Sequence, residues 1–298
     1  MSGTRHEQRQ GDLVGSESYR GANFGGAASD YARYRAGFPE RLYAELSRRG
    51  LRFSAPTRTE GGNAAAPARV VDLGCGTGTL ARGFAARGAE VTGVDISAEL
   101  LSQAELVARA EGLEITWHQA AAEQTGLAAG AYDLVSAGQC WHWFDRPRAA
   151  REVLRLLRPG AAVLVAHFDY LVVPGGVVQA TEEILSRECG EPTAAGYRFG
   201  TDGVYPTWFA DLARAGFVAL ESGSFDEDVA YDEVAWRGRM RAQGHVSASD
   251  AATRARFDAA LAVRIAHDGA GADLPRSADG RLRVPHRCFF ITARAPAS

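Results

Sequence analysis

Val70-Val71-Asp72-Leu73-Gly74-Cys75-Gly76-Thr77-Gly78-Thr79-Leu80 is a β-branched apolar run that breaks into alternate glycines and resumes as a helical pattern. Strand, glycine turn and helix in that order form the junction at which a parallel α/β sheet presents free helix N–H groups to a ligand. Glycines at alternate positions let the backbone turn sharply and leave no side chain where the ligand approaches. The spacing is GxGxG with an acid, Asp72, two residues before the first glycine, whereas the turn that receives a dinucleotide pyrophosphate reads GxGxxG. An acid there repels a pyrophosphate and attracts a cation. The ligand implied is therefore positively charged near the turn, and a nicotinamide-dependent oxidoreductase is the lesser enzyme reading.

Downstream, short strand-like runs alternate with helical segments, the pattern of βαβ units. Strands are expected at Arg69–Leu73, Glu90–Asp95, Glu114–His118, Tyr132–Ala137 and Ala161–Phe168. Helices are expected near Leu80–Arg87, Ala98–Glu111 and Pro147–Leu157, the last capped by Asp145 and stopped by Pro159-Gly160. The second strand ends Val94-Asp95-Ile96, which puts an acid at the carboxyl edge beside the glycine turn, where a ribose diol would lie; the plainer alternative for Asp95 is a helix cap. The fold class predicted is α/β, a Rossmann-like doubly wound sheet.

Upstream, Pro39 suits a first helical turn, Leu42, Tyr43 and Leu46 share one face, and Gly50 can close that helix. Residues 1–23 lack periodicity and are expected to be disordered, with a Pro/Gly/Ala/Thr-rich linker between Ser54 and Ala68. Residues 24–298 then form a single domain with its cofactor core at 69–170 and substrate-side additions at 24–50, 171–204 and 228–270. The glycine-rich stretch 171–204 interrupts the alternation and is read as a cap or lid. After it come a helix near Tyr205–Ala215, a strand near Val218–Phe225, two helices within Asp232–His267 and a last strand near Arg283–Ala293.

At 298 residues the chain can bury a full core, and 33 basic against 36 acidic residues give a formal charge of −3, which argues against a polyanion-binding surface. Nucleic acid and membrane are not expected as partners; a small-molecule substrate is. Every basic residue of the Lys/Arg class is arginine, a bias of GC-rich bacterial genomes. Cys75, Cys140, Cys189 and Cys288 lie far apart without a paired metal or redox spacing, so no metal is expected and reduced thiols in a cytoplasmic protein are the simplest reading. The first residues lack the apolar core of a secretory signal.

The glycine turn with Asp72, followed by Asp95, resembles the first two motifs of the class I S-adenosylmethionine-dependent methyltransferases, especially the type-11 domain group, over Tyr31 to about Phe168. The resemblance implies a seven-stranded sheet whose final strand is antiparallel, S-adenosylmethionine as cofactor, and contacts to it from Asp72, Gly74, Cys75, Gly76, Gly78, Asp95 and Ile96. The family's acid-plus-small-residue pair that holds the adenine falls here on Ala121-Ala122-Glu123; the usual first acid is absent, leaving Ala122 and Glu123 as candidates. Gly138-Gln139-Cys140-Trp141-His142-Trp143-Phe144-Asp145 resembles the histidine-tryptophan-phenylalanine box of methyltransferases similar to trans-aconitate methyltransferase. By that likeness Gln139 contacts the methionyl part, and Trp141 and Trp143 exclude water on the substrate side. His142 is the candidate catalytic base, or packs beneath the cofactor. Tyr31-Ala32-Arg33-Tyr34-Arg35 resembles the group's entry segment, with Arg35 chosen to meet the methionyl carboxylate.

His167, Asp169 and Tyr170 follow the fifth strand at the edge where substrates approach such sheets, and His286 in the last strand faces either the site or solvent. Trp236-Arg237-Gly238-Arg239-Met240-Arg241 reads as a solvated helix face or a seat for an acidic substrate. The expectation is methyl transfer to oxygen, nitrogen or carbon of a small molecule, a carboxylate among the possibilities. The alternative is a methyltransferase-fold scaffold without catalysis.

Overall fold

A computed structural model of the chain describes residues 34–54, 66–190 and 203–297. The expected disorder of residues 1–23, and the roles of Tyr31 and Arg33, lie outside these residues. The sheet is built from β1 (Arg69–Leu73), β2 (Glu90–Asp95), β3 (Thr116–Gln119), β4 (Tyr132–Gly138), β5 (Leu157–Tyr170), β6 (Val218–Tyr231) and β7 (Leu282–Arg294), in the order β3-β2-β1-β4-β5-β7-β6. The strands β3, β2, β1, β4 and β5 pair in parallel, and β7 runs antiparallel to both β5 and β6. The sheet reverses its winding at β1 and β4, so the glycine turn after β1 opens at the switch point where α/β sheets bind ligands.

Helices α1 (Glu40–Arg48), α2 (Thr79–Ala85), α3 (Ala98–Ala110), α4 (Arg146–Leu156) and α6 (Trp208–Ala215) cover the sheet, while α5 (Val177–Cys189), α7 (Glu233–Arg241), α8 (Gly244–Ala248) and α9 (Ala251–Ile265) form a cap. Alternation along β5 divides the core in two. Val163 and Val165 pack with Val153, Trp208 and Ile291 on one face, and Leu164 and Ala166 with Leu42, Phe84 and Phe290 on the other. The cap has its own core, in which Trp236, Phe257, Leu261 and Ile184 meet Leu282 and Val284 of β7.

The stretch 171–204, read as a cap or lid, carries α5 in its described part. Two expectations are corrected: the run 232–267 holds three helices rather than two, and β6 continues six residues past Phe225 to Tyr231. Its extension, Asp226-Glu227-Asp228, has no apolar alternation and is held by pairing with β7, where Arg287 binds Asp226 and Arg283 binds Asp228. Ser97 caps α3, accepting the Leu100 N–H at 3.2 Å. Removing that acceptor by Ser97→Ala lowers stability by about 1 kcal/mol, to be read as a shifted urea midpoint at unchanged slope.

Candidate functional site

The site is built where the carboxyl ends of β1, β2, β4 and β5 meet. Gly76 and Gly78 take left-handed backbone angles, φ 55° and 79°, that other residues adopt at a cost. A Cβ on Gly78 would lie 2.7 Å from the Trp117 ring, whereas one on Gly76 would meet nothing within 4 Å. The turn is therefore packed against protein at Gly78 and opens into space at Gly76.

Two acids hold that turn from different sides. The Asp95 carboxylate accepts the Gly76 N–H at 2.8 Å and the Ser97 N–H at 2.9 Å, tying the turn to the end of β2. Asp72 lies beneath it, 2 % exposed, accepting the Ala81 N–H at 3.2 Å and the Ser136 hydroxyl at 2.7 Å. It thus caps the third residue of α2 from across the turn. Burial raises its carboxyl to about 7, against the lowering effect of those two hydrogen bonds and with the Asp95 charge adding to the rise. The expectation that Asp72 contacts the ligand is corrected: the side chain supports the turn from below, and any influence on a bound cation acts through its charge. The Cys75 thiol is buried, which leaves the backbone of that residue in the turn.

Ile96 is 50 % exposed beside this turn, an apolar surface of the kind a purine ring covers. Ala122 is buried in the core, so only its backbone can serve a ligand, and Glu123 spends one carboxylate oxygen on the Asp145 N–H at 2.8 Å. The loop that carries them is clamped by Glu152, which accepts the Thr125 N–H at 2.9 Å and its hydroxyl at 2.6 Å. Hydrogen bonds from Arg155, then those from Thr125, bring the Glu152 carboxyl down to about 2 against the cost of burial.

Arg35 and Gln139, far apart in sequence, are brought together: the Arg35 guanidinium donates to the Gln139 side-chain carbonyl. Gln139 adopts φ 62°, a strained angle for a side-chain-bearing residue, fixed by its N–H to Ala166 O at 2.8 Å and its amide to Phe168 O at 2.9 Å. It acts as a strut between Arg35 and β5. The Arg35 charge is felt at His142, Asp169, Tyr205 and His286, which places it centrally over the strand ends.

The aromatic box divides. Trp141 is fully buried and donates from Nε1 to Asp211 at 3.2 Å, so its expected substrate-side role is corrected. The short 3-10 turn at Trp141–Trp143 sends Trp141 inward and leaves His142 and Trp143 partly exposed, their rings 4.7 Å apart. Burial first, then the neighbouring His167 and Arg35, press the His142 imidazole down to about 3. His286 is also corrected: at 2 % exposure it faces neither site nor solvent, binding Val284 O at 2.8 Å among Phe168, Tyr170 and Tyr231. Tyr170 is partly exposed, bonded to Gln243, and pushed by burial up to about 12. Of the basic segment, Arg237 and Arg241 pair with Asp258 between cap helices, which leaves them engaged within the protein.

Sequence reasoning missed Tyr205. Its hydroxyl donates to Asp169, whose carboxylate also lies 3.3 Å from His167 Nδ1, and its ring stacks on Trp208 at 4.1 Å. Nothing local marks it, since it follows a long insertion and belongs to no motif. Among the described residues no group of His, Cys, Asp or Glu is placed to hold a metal, and no helix is long and apolar enough to cross a membrane.

Residues 71–165, spanning the glycine turn, the aromatic box and most of β5, match the family described as a methyltransferase domain. The likeness is confined to this segment. Across 96 residues it is 41 % identical to the ubiquinone biosynthesis O-methyltransferase of Sodalis glossinidius, a match covering 32 % of this chain and 39 % of that enzyme. The chain thus matches well under half the length of this curated relative. A solved chain from Anaeromyxobacter dehalogenans, described as a Type II methyltransferase, superposes with a TM-score of 0.62 at 22 % identity, covering 89 % of this chain and all of that one. The [4+2]-cyclase SpnF superposes with a TM-score of 0.50 at 22 % identity over 89 % of this chain and 85 % of its own. The matched segment thus sits in a Rossmann-like fold, a fold that by itself does not fix a reaction.

Proposed function

We propose that the chain transfers a methyl group from S-adenosylmethionine to a small-molecule acceptor. The observation that carries this reading is the turn itself, open at Gly76 and tied to the strand-end carboxylate of Asp95 with exposed Ile96 beside it. These residues suit the cofactor piece by piece: Asp95 for the ribose diol, Ile96 for the adenine face, the backbone at 74–78 for the methionyl portion, and Arg35 for its carboxylate. The buried Asp72 contributes negative charge below a cationic ligand. A pyrophosphate would meet the fields of Asp72 and Asp95 instead, which weighs against a dinucleotide.

The cofactor supplies a methyl group on a sulfonium, an already activated leaving group. The protein's task is to align the acceptor with that methyl and to exclude water. Trp143, partly exposed on the 3-10 turn, provides apolar surface for this. Calorimetric titration with S-adenosylmethionine, S-adenosylhomocysteine and NADH in parallel tests the reading. Micromolar binding of the first two and silence from NADH is the expected result; binding of none would point to a scaffold that has lost the cofactor.

A further inference from the structure

From His142 of the aromatic box, three further polar side chains outside the motifs continue a chain into the protein. His142 on the 3-10 turn is partly exposed, with Nδ1 buried. Its ring centroid lies 5.3 Å from that of His167 on β5, which is 3 % exposed. His167 Nδ1 lies 3.3 Å from the Asp169 carboxylate, and that carboxylate accepts the Tyr205 hydroxyl. His167 Nε2 is buried and has no hydrogen-bond partner among the described residues.

A buried imidazole nitrogen left without a partner costs stability, and such a cost persists where it serves a purpose. With Asp169 ionised, His167 places its proton on Nδ1 toward the carboxylate, which leaves the buried Nε2 as the accepting nitrogen of a ring whose neighbour is His142. We propose that Asp169, His167 and His142 form a proton relay that draws a proton from the methyl acceptor, and hence that the acceptor is a phenol-type or enol hydroxyl rather than a carboxylate. This rests on the methyltransferase reading above.

The step balances as follows. The acceptor O–H gives its proton to His142 Nε2 while its oxygen forms the new bond to the methyl carbon. The carbon–sulfur bond breaks, its electron pair remains on sulfur, and the sulfonium charge is lost. His142 passes its Nδ1 proton to His167 Nε2, and the resulting imidazolium stands against Asp169. The proton moves on to His167, the positioning partner, because the surroundings of His142 hold that ring against protonation. Burial, His167 and Arg35, with Arg146 at the start of α4, act in that sense, against the opposing charge of Asp169. Asp169, despite burial, is held well below the usual carboxylate range by His167, by the hydrogen bonds from His167 and Tyr205, and by Arg35. β7 brings uncharged Phe289 opposite His167, and Trp208 of α6 closes the other side. A phenol, with an acidity near pH 10, lies within reach of an imidazole relay, an aliphatic alcohol does not, and a carboxylate needs no base.

The test uses the full chain labelled with 15N-histidine, wild type and Asp169→Asn, with His167→Gln to assign the resonance. Long-range proton–nitrogen correlations are followed from pH 5 to 9, and S-adenosylmethionine affinity is measured on the same samples. Expected are an Nδ1-protonated neutral His167 in the wild type, loss of that tautomer preference in Asp169→Asn, and cofactor affinity unchanged by the substitution. An Nε2-protonated His167 in the wild type, or a tautomer unmoved by Asp169→Asn, overturns the relay even where the cofactor binds; loss of cofactor binding in the wild type would instead overturn the reading it rests on. A panel of catechol, resorcinol, benzoate and phenylacetate tests the acceptor class. Methylation of a phenol, reduced about tenfold or more in Asp169→Asn with its acid limb displaced, supports it. Turnover of the carboxylates alone, or of no phenol, refutes it.

Discussion

Replacing Asp95 with alanine lowers affinity for S-adenosylmethionine by about 10²–10⁴-fold, because the two ribose hydroxyls lose charge-assisted partners of about 1.5–3 kcal/mol each. The substitution also releases the Gly76 and Ser97 N–H groups that the carboxylate now holds at 2.8 and 2.9 Å. These two effects are separable. Asp95→Asn keeps one carbonyl oxygen for the turn and loses the charge, so it should retain the turn and recover only part of the affinity. The measurement is calorimetric Kd for the two variants, with circular dichroism to show that both are folded. An affinity equal to wild type in folded Asp95→Ala would remove Asp95 from the ribose site.

That carboxylate was legible from sequence because strand, acid and turn are neighbours along the chain. The same holds for Gly74 to Gly78, for the strands β1 and β2, and for the helix cap at Asp145, all set by local pattern; α3, the helix after β2, is capped by Ser97 and not by Asp95, which the sequence also offers as the cap. The acids of the first two motifs were harder to separate, since a pattern locates Asp72 near the turn without saying on which side of the backbone its side chain falls. Ser136, which decides that, comes from β4 across the sheet, paired with Asp72 in register.

What escaped the sequence is tertiary. Tyr205 gains its role only when the chain returns from the cap to lie beside β5, and β6 extends past Phe225 because β7 offers it partners, not because its own residues favour a strand. Trp141 and Trp143 sit two residues apart in one aromatic box, yet a single turn of 3-10 helix sends one inward to Asp211 and leaves the other partly exposed. His286 illustrates the limit of period-two reasoning: alternation assigns it a face of β7, but that face is covered at this point by the cap core.

Asp72→Asn is expected to make the ligand-free protein more stable above pH 7, by about 2–4 kcal/mol. In the folded chain burial raises this carboxyl from its ordinary 3.8 to about 7. Between about pH 4 and 7 the folded state therefore keeps a proton that the unfolded state has released, so stability falls as pH rises through that window and the full penalty stands above it. Asparagine retains an oxygen to accept the Ala81 N–H or the Ser136 hydroxyl but carries no charge to desolvate. Below pH 4, where the carboxyl is protonated in both states, variant and wild type should converge. The charge has a function the variant loses. A cationic ligand above the turn favours the ionised carboxyl, so cofactor binding near pH 7 should expel a proton from Asp72, visible as a calorimetric enthalpy that varies with the ionisation enthalpy of the buffer. Asp72→Asn should abolish that variation and weaken binding, trading affinity for stability. Urea unfolding at pH 4, 6 and 8 checks the first half. A variant less stable than wild type at pH 8 would show that the turn needs the carboxylate itself, ionised and hydrogen-bonded, even without its ligand.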